Sequence, residues 1–274
     1  MADDLKRMLL ATQATEFDVG AERVAIDLAA RWGTPLWAVV PLVSNSEAEM
    51  LDPLGEAKIE ADLAASLEAL RQAAAAKAVA LLIEVRVGDE PYREIVEEAT
   101  ERGADLMVLR RRGRRSYLAN LLFGEMVHAV TGHAPCDVLI VPRAAQLWSR
   151  RILLATDGSP NSERAAKIAT LVAARDGLPL TVMSADDARE GARGAAQANV
   201  DRALEIARSS GVAASGRVET GNAPDAILSA VRAVGADLIV VGRSGHGHVR
   251  RLIVGSTCER VAGLAFCPLM IVRA

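Results

Sequence analysis

Short apolar runs alternate with amphipathic stretches along the whole chain. In the C-terminal half, Arg151 to Thr156, Leu180 to Ala185, Ala236 to Val241 and Leu269 to Val272 read as buried strands, with a weaker strand at Val212 to Val218. Between the first two, a helix is predicted from Ser162 to Asp176. Ser159-Pro160 suits its start and Gly177 its stop. Val200, Leu204 and Ala207 recur on one side of a second helix. Pro224 opens a third helix carrying Ile227, Leu228 and Val231, and a fourth covers Ile253 to Leu264. The order βαβαβαβαβ predicts a parallel sheet with helices on both faces.

The N-terminal half repeats the pattern. Leu9-Leu10-Ala11-Thr12 matches Leu153-Leu154-Ala155-Thr156, and Gly33-Thr34-Pro35-Leu36 matches Gly177-Leu178-Pro179-Leu180. Further on, Gly103-Ala104-Asp105-Leu106 matches Gly235-Ala236-Asp237-Leu238, and Gly132 and Cys136 match Gly263 and Cys267. The offset shrinks along the chain, so the first copy is longer in its middle, where Ile59, Leu63, Leu67 and Leu70 mark a long second helix. Ile83, Val85 and Val87 alternate with Glu84 and Arg86, which predicts a strand with one less buried face. Two long copies fit two domains better than a solenoid of many short repeats. The expected domains are residues 1–146 and 150–274, with a boundary in the aperiodic stretch Ala144 to Ser149.

Composition narrows the function. Of 274 residues, 51% are apolar and 24% charged, enough for ordinary globular cores. The net charge of -3 argues against nucleic acid as a partner, and 3% aromatics against a base-stacking platform. No apolar run is long enough for a membrane span. Met1-Ala2-Asp3-Asp4 lacks the basic start and apolar stretch of a secretory signal. Cys136, Cys258 and Cys267 are too scattered for a disulfide framework or a zinc site, so the cytoplasm is the expected location.

The most informative segment follows the strand that ends at Val241. Gly242-Arg243-Ser244-Gly245 is separated by nine residues from Gly255-Ser256 and leads into a helix. Glycines let backbone amides approach an anion, and a helix N-terminus with a Ser hydroxyl adds donors and partial positive charge. The loop lacks the Lys of a Walker motif and the spacing of the dinucleotide fingerprint. On spacing alone, it serves equally to end a strand and cap a helix. Asp157 ends the first strand of the same copy. If the first and fourth strands are neighbours, it faces the same crevice, where a carboxylate suits ribose hydroxyls or a phosphate-bound metal. Taken singly, Asp157 reads more simply as a helix cap or turn former.

Together, strand–Thr156-Asp157-Gly158-Ser159, Gly235 to Val241 and the Gly-x-x-Gly-(nine)-Gly-Ser pattern resemble a universal stress protein domain. The resemblance covers the chain as a tandem pair. It implies two doubly wound, Rossmann-like α/β domains, each a five-stranded parallel sheet of order 3-2-1-4-5. It also implies ATP (or AMP or ADP, with Mg2+ as an optional companion) in copies that keep the glycine pattern. Carried over by position, Asp157, with Ala155 and Thr156 leading to it, contacts ribose, and the backbone near Ala185 meets adenine. Val241, Gly242, Gly245, Gly255, Ser256 and Thr257 hold ribose and phosphates. The resemblance further implies that the last strands, Val138 to Val141 and Leu269 to Val272, pair with each other; association of two chains into a homodimer is left open.

The first copy departs from this pattern. Gln13 stands for Asp157, Arg110 for Gly242 and Glu125 for Ser256, and ten residues separate Gly113 from Gly124. An acidic side chain beside phosphate is repulsive, so this copy is not expected to bind ATP. Arg110, Arg111, Arg112, Arg114 and Arg115 read as a solvated loop making local ion pairs, in preference to an anion patch. His246 and His248 lie in the glycine loop, either as phosphate donors or as exposed polar residues. His128 and His133 read as surface helix residues, and Cys136 and Cys267 as packing residues. No nucleophile, base and orienting group come together. Three readings stay open: a nucleotide-binding stress-response regulator, a slow ATPase or nucleotidyl-transfer enzyme, and a nucleotide-free interaction module.

Overall fold

A computed structural model describes residues 5–43, 53–111, 125–189, 191–243 and 254–273. The first copy runs β1 (Met8–Ala11), α1 (Val19–Trp32), β2 (Leu36–Val43), α2 (Pro53–Ala75), β3 (Leu81–Gly88), α3 (Pro91–Glu101), β4 (Leu106–Arg110), α4 (Glu125–His133) and β5 (Asp137–Val141). The second repeats it with β6 (Ile152–Ala155), α5 (Pro160–Asp176), β7 (Leu180–Asp186), α6 (Ala192–Ser209), β8 (Ala214–Thr220), α7 (Ala223–Val234), β9 (Leu238–Gly242), α8 (Ser256–Leu264) and β10 (Leu269–Val272).

All ten strands form one sheet of order β3-β2-β1-β4-β5-β10-β9-β6-β7-β8. Each half is therefore a parallel sheet of order 3-2-1-4-5. The halves meet where β5 and β10 pair antiparallel, Leu269 opposite Ile140 and Ile271 opposite Val138. One core lies under α1, α2, α5 and α6, and the other under α3, α4, α7 and α8. Both run across the seam, because alternate residues of β5 and β10 point into each. The segment between the copies is no simple spacer, since Ala145 and Trp148 are buried in the first of these cores.

Local chemistry sets the element ends. α5 starts at Pro160, earlier than the apolar period implied. Ser159 is the cap, its hydroxyl accepting from the Ser162 amide at 3.3 Å, and proline fits the first helical position. Gly177 ends the helix in the left-handed conformation, φ 66°, and its amide turns back onto Ala173 and Ala174. α8 starts at Ser256 rather than Ile253, and residues 251–253 lie outside the described set. β8 sits two residues further on than expected. β3 is an outer strand. Leu81 and Ile83 reach the core, whereas Val85 and Val87 are exposed. On its other face Arg86 pairs with Glu94, Glu97, Glu98 and Glu101 of α3.

Candidate nucleotide crevice

β6 lies between β9 and β7, with Ala155 in register with Val241 on one side and Met183 on the other. The segments leaving the carboxyl ends of β6 and β9 therefore start side by side. This is the position where a doubly wound sheet opens to a ligand. Thr156 is buried; its amide donates to the Met183 carbonyl at 2.9 Å and its hydroxyl to Ser162 Oγ at 3.1 Å. Asp157 is exposed, and its Oδ1 accepts from the Ser159 amide (3.0 Å) and hydroxyl (2.6 Å). The turn-forming role is thus real: the carboxylate braces the hydroxyl that caps α5. Ala185, one residue before the end of β7, is half-buried.

Gly242 has a packing reason of its own. A Cβ there would stand 2.8 Å from the Asn161 carbonyl carbon and 3.0 Å from the Ser162 amide nitrogen, inside the first turn of α5. Beyond it the loop ends are stitched together. The Gly255 amide donates to the Arg243 carbonyl at 2.9 Å, and Cys258 Sγ donates to the Gly242 carbonyl at 3.1 Å. Gly255 is the N-cap of α8 and, as a glycine, brings no side chain of its own to the first-turn amides. Ser256 is exposed and Thr257 half-buried beside that end. Burial pushes the Cys258 thiol up to about 12, and the nearby Asp157 charge adds to the effect. Gly245, His246 and His248 lie outside the described residues.

This donor set fits an adenine nucleotide. A helix end capped by a glycine, with two hydroxyls beside it, suits phosphate oxygens, and an exposed carboxylate at the end of the neighbouring strand suits ribose hydroxyls. Among the described residues, no group of three or more His, Cys, Asp or Glu side chains converges to hold a metal ion.

The matching crevice of the first copy is built differently. Arg110 Nη2 donates to Gln13 Oε1 at 2.9 Å, and its Nε pairs with Asp18 Oδ1 at 3.1 Å. The guanidinium also lies 5.9 Å from the centroid of the Phe17 ring. The side chain has room because α1 begins at Val19. The residue matching Pro160 is Glu16, so the helical turn that crowds Gly242 has no counterpart here.

Two expectations for the arginine run need correction. Arg110 and Arg111 are structural contacts rather than solvated loop residues. Arg111 reaches into the second copy, donating to the carbonyls of Gly263 (3.4 Å) and Ala265 at the end of α8. Arg243, its counterpart, reaches the other way, to the Gly132 carbonyl at the end of α4 (3.2 Å). Arg112, Gly113, Arg114, Arg115 and Gly124 lie outside the described residues. His128 also differs from a plain surface residue, since its Nε2 lies 2.9 Å from Glu259 of α8. Cys136 and Cys267 are buried in one core, as packing residues. The repeated Gly-Ala-Asp segments have a shared purpose that the sequence did not reveal. Asp105 accepts from the amides of Lys6 and Arg7, and Asp237 from those of Ser149, Arg150 and Arg151. Each carboxylate clips the start of its copy to the fourth strand.

A model of the Universal stress protein family matches residues 4–142 and again residues 149–273. The chain is similar to universal stress protein Slr1230 of Synechocystis, with 24% identity over 169 residues, 62% of this chain and 58% of that protein. That match spans less than two thirds of the relative's length. A universal stress protein of Thermus aquaticus is 35% identical over 136 residues, 45% of this chain and 98% of the relative. The crystal structure of a universal stress protein from Archaeoglobus fulgidus superposes with a TM-score of 0.77 at 20% identity, covering 97% of this chain and 96% of that one. At that identity the likeness concerns the fold.

Proposed function

The chain belongs to the universal stress protein family, and from that premise we propose that its second copy binds ATP and uses the bound nucleotide as a conformational signal in a cytoplasmic stress response. One observation carries the reading: β6 and β9 are neighbours with Ala155 opposite Val241, so Asp157 and Gly242 leave adjacent strand ends, and the Cys258–Gly242 bond holds the glycine-capped start of α8 beside them. Ser256, Thr257 and the amides beside Gly255 receive phosphates. Asp157 receives ribose, with Ala155, Thr156 and Val241 as the walls behind it, and the backbone at Ala185 meets the base. Gly245 belongs to the same cradle by its place in the sequence motif. Mg2+ enters with the phosphates rather than on a cage of protein ligands. The alternative is a slow ATPase or nucleotidyl-transfer enzyme on the same fold.

The test is to purify the full chain, release bound nucleotide by denaturation and identify it by chromatography, then measure ATP affinity by calorimetry. Ser256→Glu places the first copy's acidic residue at the start of α8. A carboxylate there favours the helix end and repels phosphate. The variant should fold normally and bind ATP at least ~10-fold more weakly. Gly245→Asp should likewise abolish retention. Undiminished affinity in both variants removes the site assignment. Single-turnover hydrolysis at a rate well above the uncatalysed one favours the enzyme instead.

A further inference from the structure

We propose that the crevice of the first copy is a separate pocket for an uncharged, mostly apolar small molecule that carries a hydrogen-bond acceptor. A cavity of about 290 Å3 opens there between the carboxyl ends of β1 and β4 and the helices α3 and α4. That is just under the size range of small-molecule sites, ~300–1,000 Å3. Ile95, Leu109 and Val130 form an apolar floor, and Met126, Val127 and Pro41 the walls. Gln13, Asp18 and Arg110 form the polar side, with Thr12, whose hydroxyl is taken up by Glu22 and the Ala14 amide.

Matched positions in the two copies differ in one consistent direction. Ser256 and Thr257 of the second copy correspond to Glu125 and Met126, so two hydroxyls give way to a carboxylate and a thioether. Ala185 corresponds to Pro41, which has no amide hydrogen to offer a base edge. Gly242 corresponds to Arg110. Phosphate is thus disfavoured three times over: by lost hydroxyls, by Glu125 at the start of α4, and by an occupied cradle.

The remaining polarity selects the ligand. Arg110 does not act as a bare cation, because the buried Asp18 carboxylate lies 3.1 Å from its Nε. Among the described residues lining the cavity Asp18 offsets Arg110, and a ligand carboxylate or phosphate would meet Asp18, and Glu125 next to Met126, as like charges. A guanidinium has about five N–H donors. Among the described residues Nη2 donates to Gln13 and Nε lies in an ion pair with Asp18. A ketone, ester or amide oxygen with an aromatic or alicyclic body suits such a head above an apolar floor. This inference does not rest on nucleotide binding in the second copy.

The test uses the full chain and prodan, an uncharged naphthyl ketone whose emission reports both polarity and hydrogen bonding. Titration should saturate at one site per chain, and millimolar ATP should not displace the dye. Met126→Lys and Val127→Lys each put an ammonium into the apolar wall and should weaken binding roughly 10-fold or more. Thermal melts identify which of the two remains folded. Arg110→Met should weaken binding several-fold and move the bound emission to the blue, as the donor to the ketone is lost. Ser256→Glu should leave prodan binding unchanged. Unsaturable binding, displacement by ATP, or full affinity in a folded Lys variant overturns the proposal.

Discussion

Trp32 and Asp176 occupy the same position in the two copies and are hydrogen-bonded to each other, the indole Nε1 donating to Oδ1 at 2.9 Å. Trp148, from the segment between the copies, donates to Oδ2 at 2.6 Å, and Arg31 Nη1 lies 3.3 Å from the same oxygen. The carboxylate is almost fully enclosed, 1% exposed, so these donors replace its water. The two indoles meet edge to face at 6.5 Å, and Arg175 stacks on Trp32 at 4.4 Å. Asp176→Ala strands the indole donors of Trp32 and Trp148 at once and takes the carboxylate partner from Arg31, and should cost about 2–4 kcal/mol. Asp176→Asn keeps an acceptor and should cost less. A urea titration followed by tryptophan fluorescence reads both; an unmoved midpoint in the Ala variant contradicts the role assigned to the carboxylate.

Arg111 and Arg243 make the equivalent tie on the other face of the sheet. Each guanidinium donates to carbonyls at the end of the other copy's last helix, where the helix dipole favours a cation. Burial lowers the Arg243 pKa from its ordinary value, and the Arg273 charge adds to this. Removing either side chain should destabilise the fold by about 1.5–3 kcal/mol, the range for hydrogen bonds to charged groups. The effect should be local. Amide exchange should accelerate in α4 for Arg243→Ala and in α8 for Arg111→Ala. The same pattern of exchange in both variants speaks against separate reciprocal ties.

The duplication and the parallel sheets were legible because each βα unit carries its own signals: a buried apolar run, then a capped helix. Ser159-Pro160 and Gly177 show this best, since cap chemistry acts within a few residues. What stayed hidden depends on contacts far apart in sequence. The arginine run reads locally as solvated, yet Arg110 finds Asp18 and Arg111 finds Gly263. Trp148 lies in an aperiodic stretch and is nevertheless fully buried. Gly242 suggests a phosphate cradle from its spacing, and the structure adds a second reason, the close approach of α5. For the same reason the glycine alone is weak evidence for a ligand. The glycine-capped start of α8 and the exposed Asp157 carry more of the proposal.

Arg110→Gly restores the second copy's residue and should not restore its function. Pro41, Gln13, Met126 and Glu125 still oppose a nucleotide, so ATP titration should show no second site. The variant should also lose stability. Asp18 is 1% exposed, and without Arg110 it keeps the amide and hydroxyl of Thr15 as donors but, among the described residues, no opposite charge paired with it. A loss of about 1–3 kcal/mol is expected, below that of a fully buried pair because Arg110 is one-quarter exposed. A second ATP site of comparable affinity contradicts the view that the first copy was remodelled at several positions.

The three thiols give stability a defined alkaline limb. Burial pushes Cys136, Cys258 and Cys267 up to about 12, with Asp137, Asp157 and Asp237 respectively adding to it. In an unfolded chain a thiol releases its proton near ~8.5. Between these values the native state holds more protons than the unfolded one, so unfolding free energy falls as pH rises. Below the unfolded value both states are protonated and the contribution is constant. The urea midpoint should therefore be insensitive to the thiols through neutral pH and decline from about pH 9 towards 12. Other groups titrate in the same window, so the informative comparison is the slope in a triple Cys→Ala variant, which should be shallower. The same burial predicts slow alkylation by iodoacetamide in the native protein at pH 8 and labelling of all three cysteines in urea. Rapid labelling of the native chain, or an identical alkaline slope in the triple variant, places the thiols in water rather than in the core.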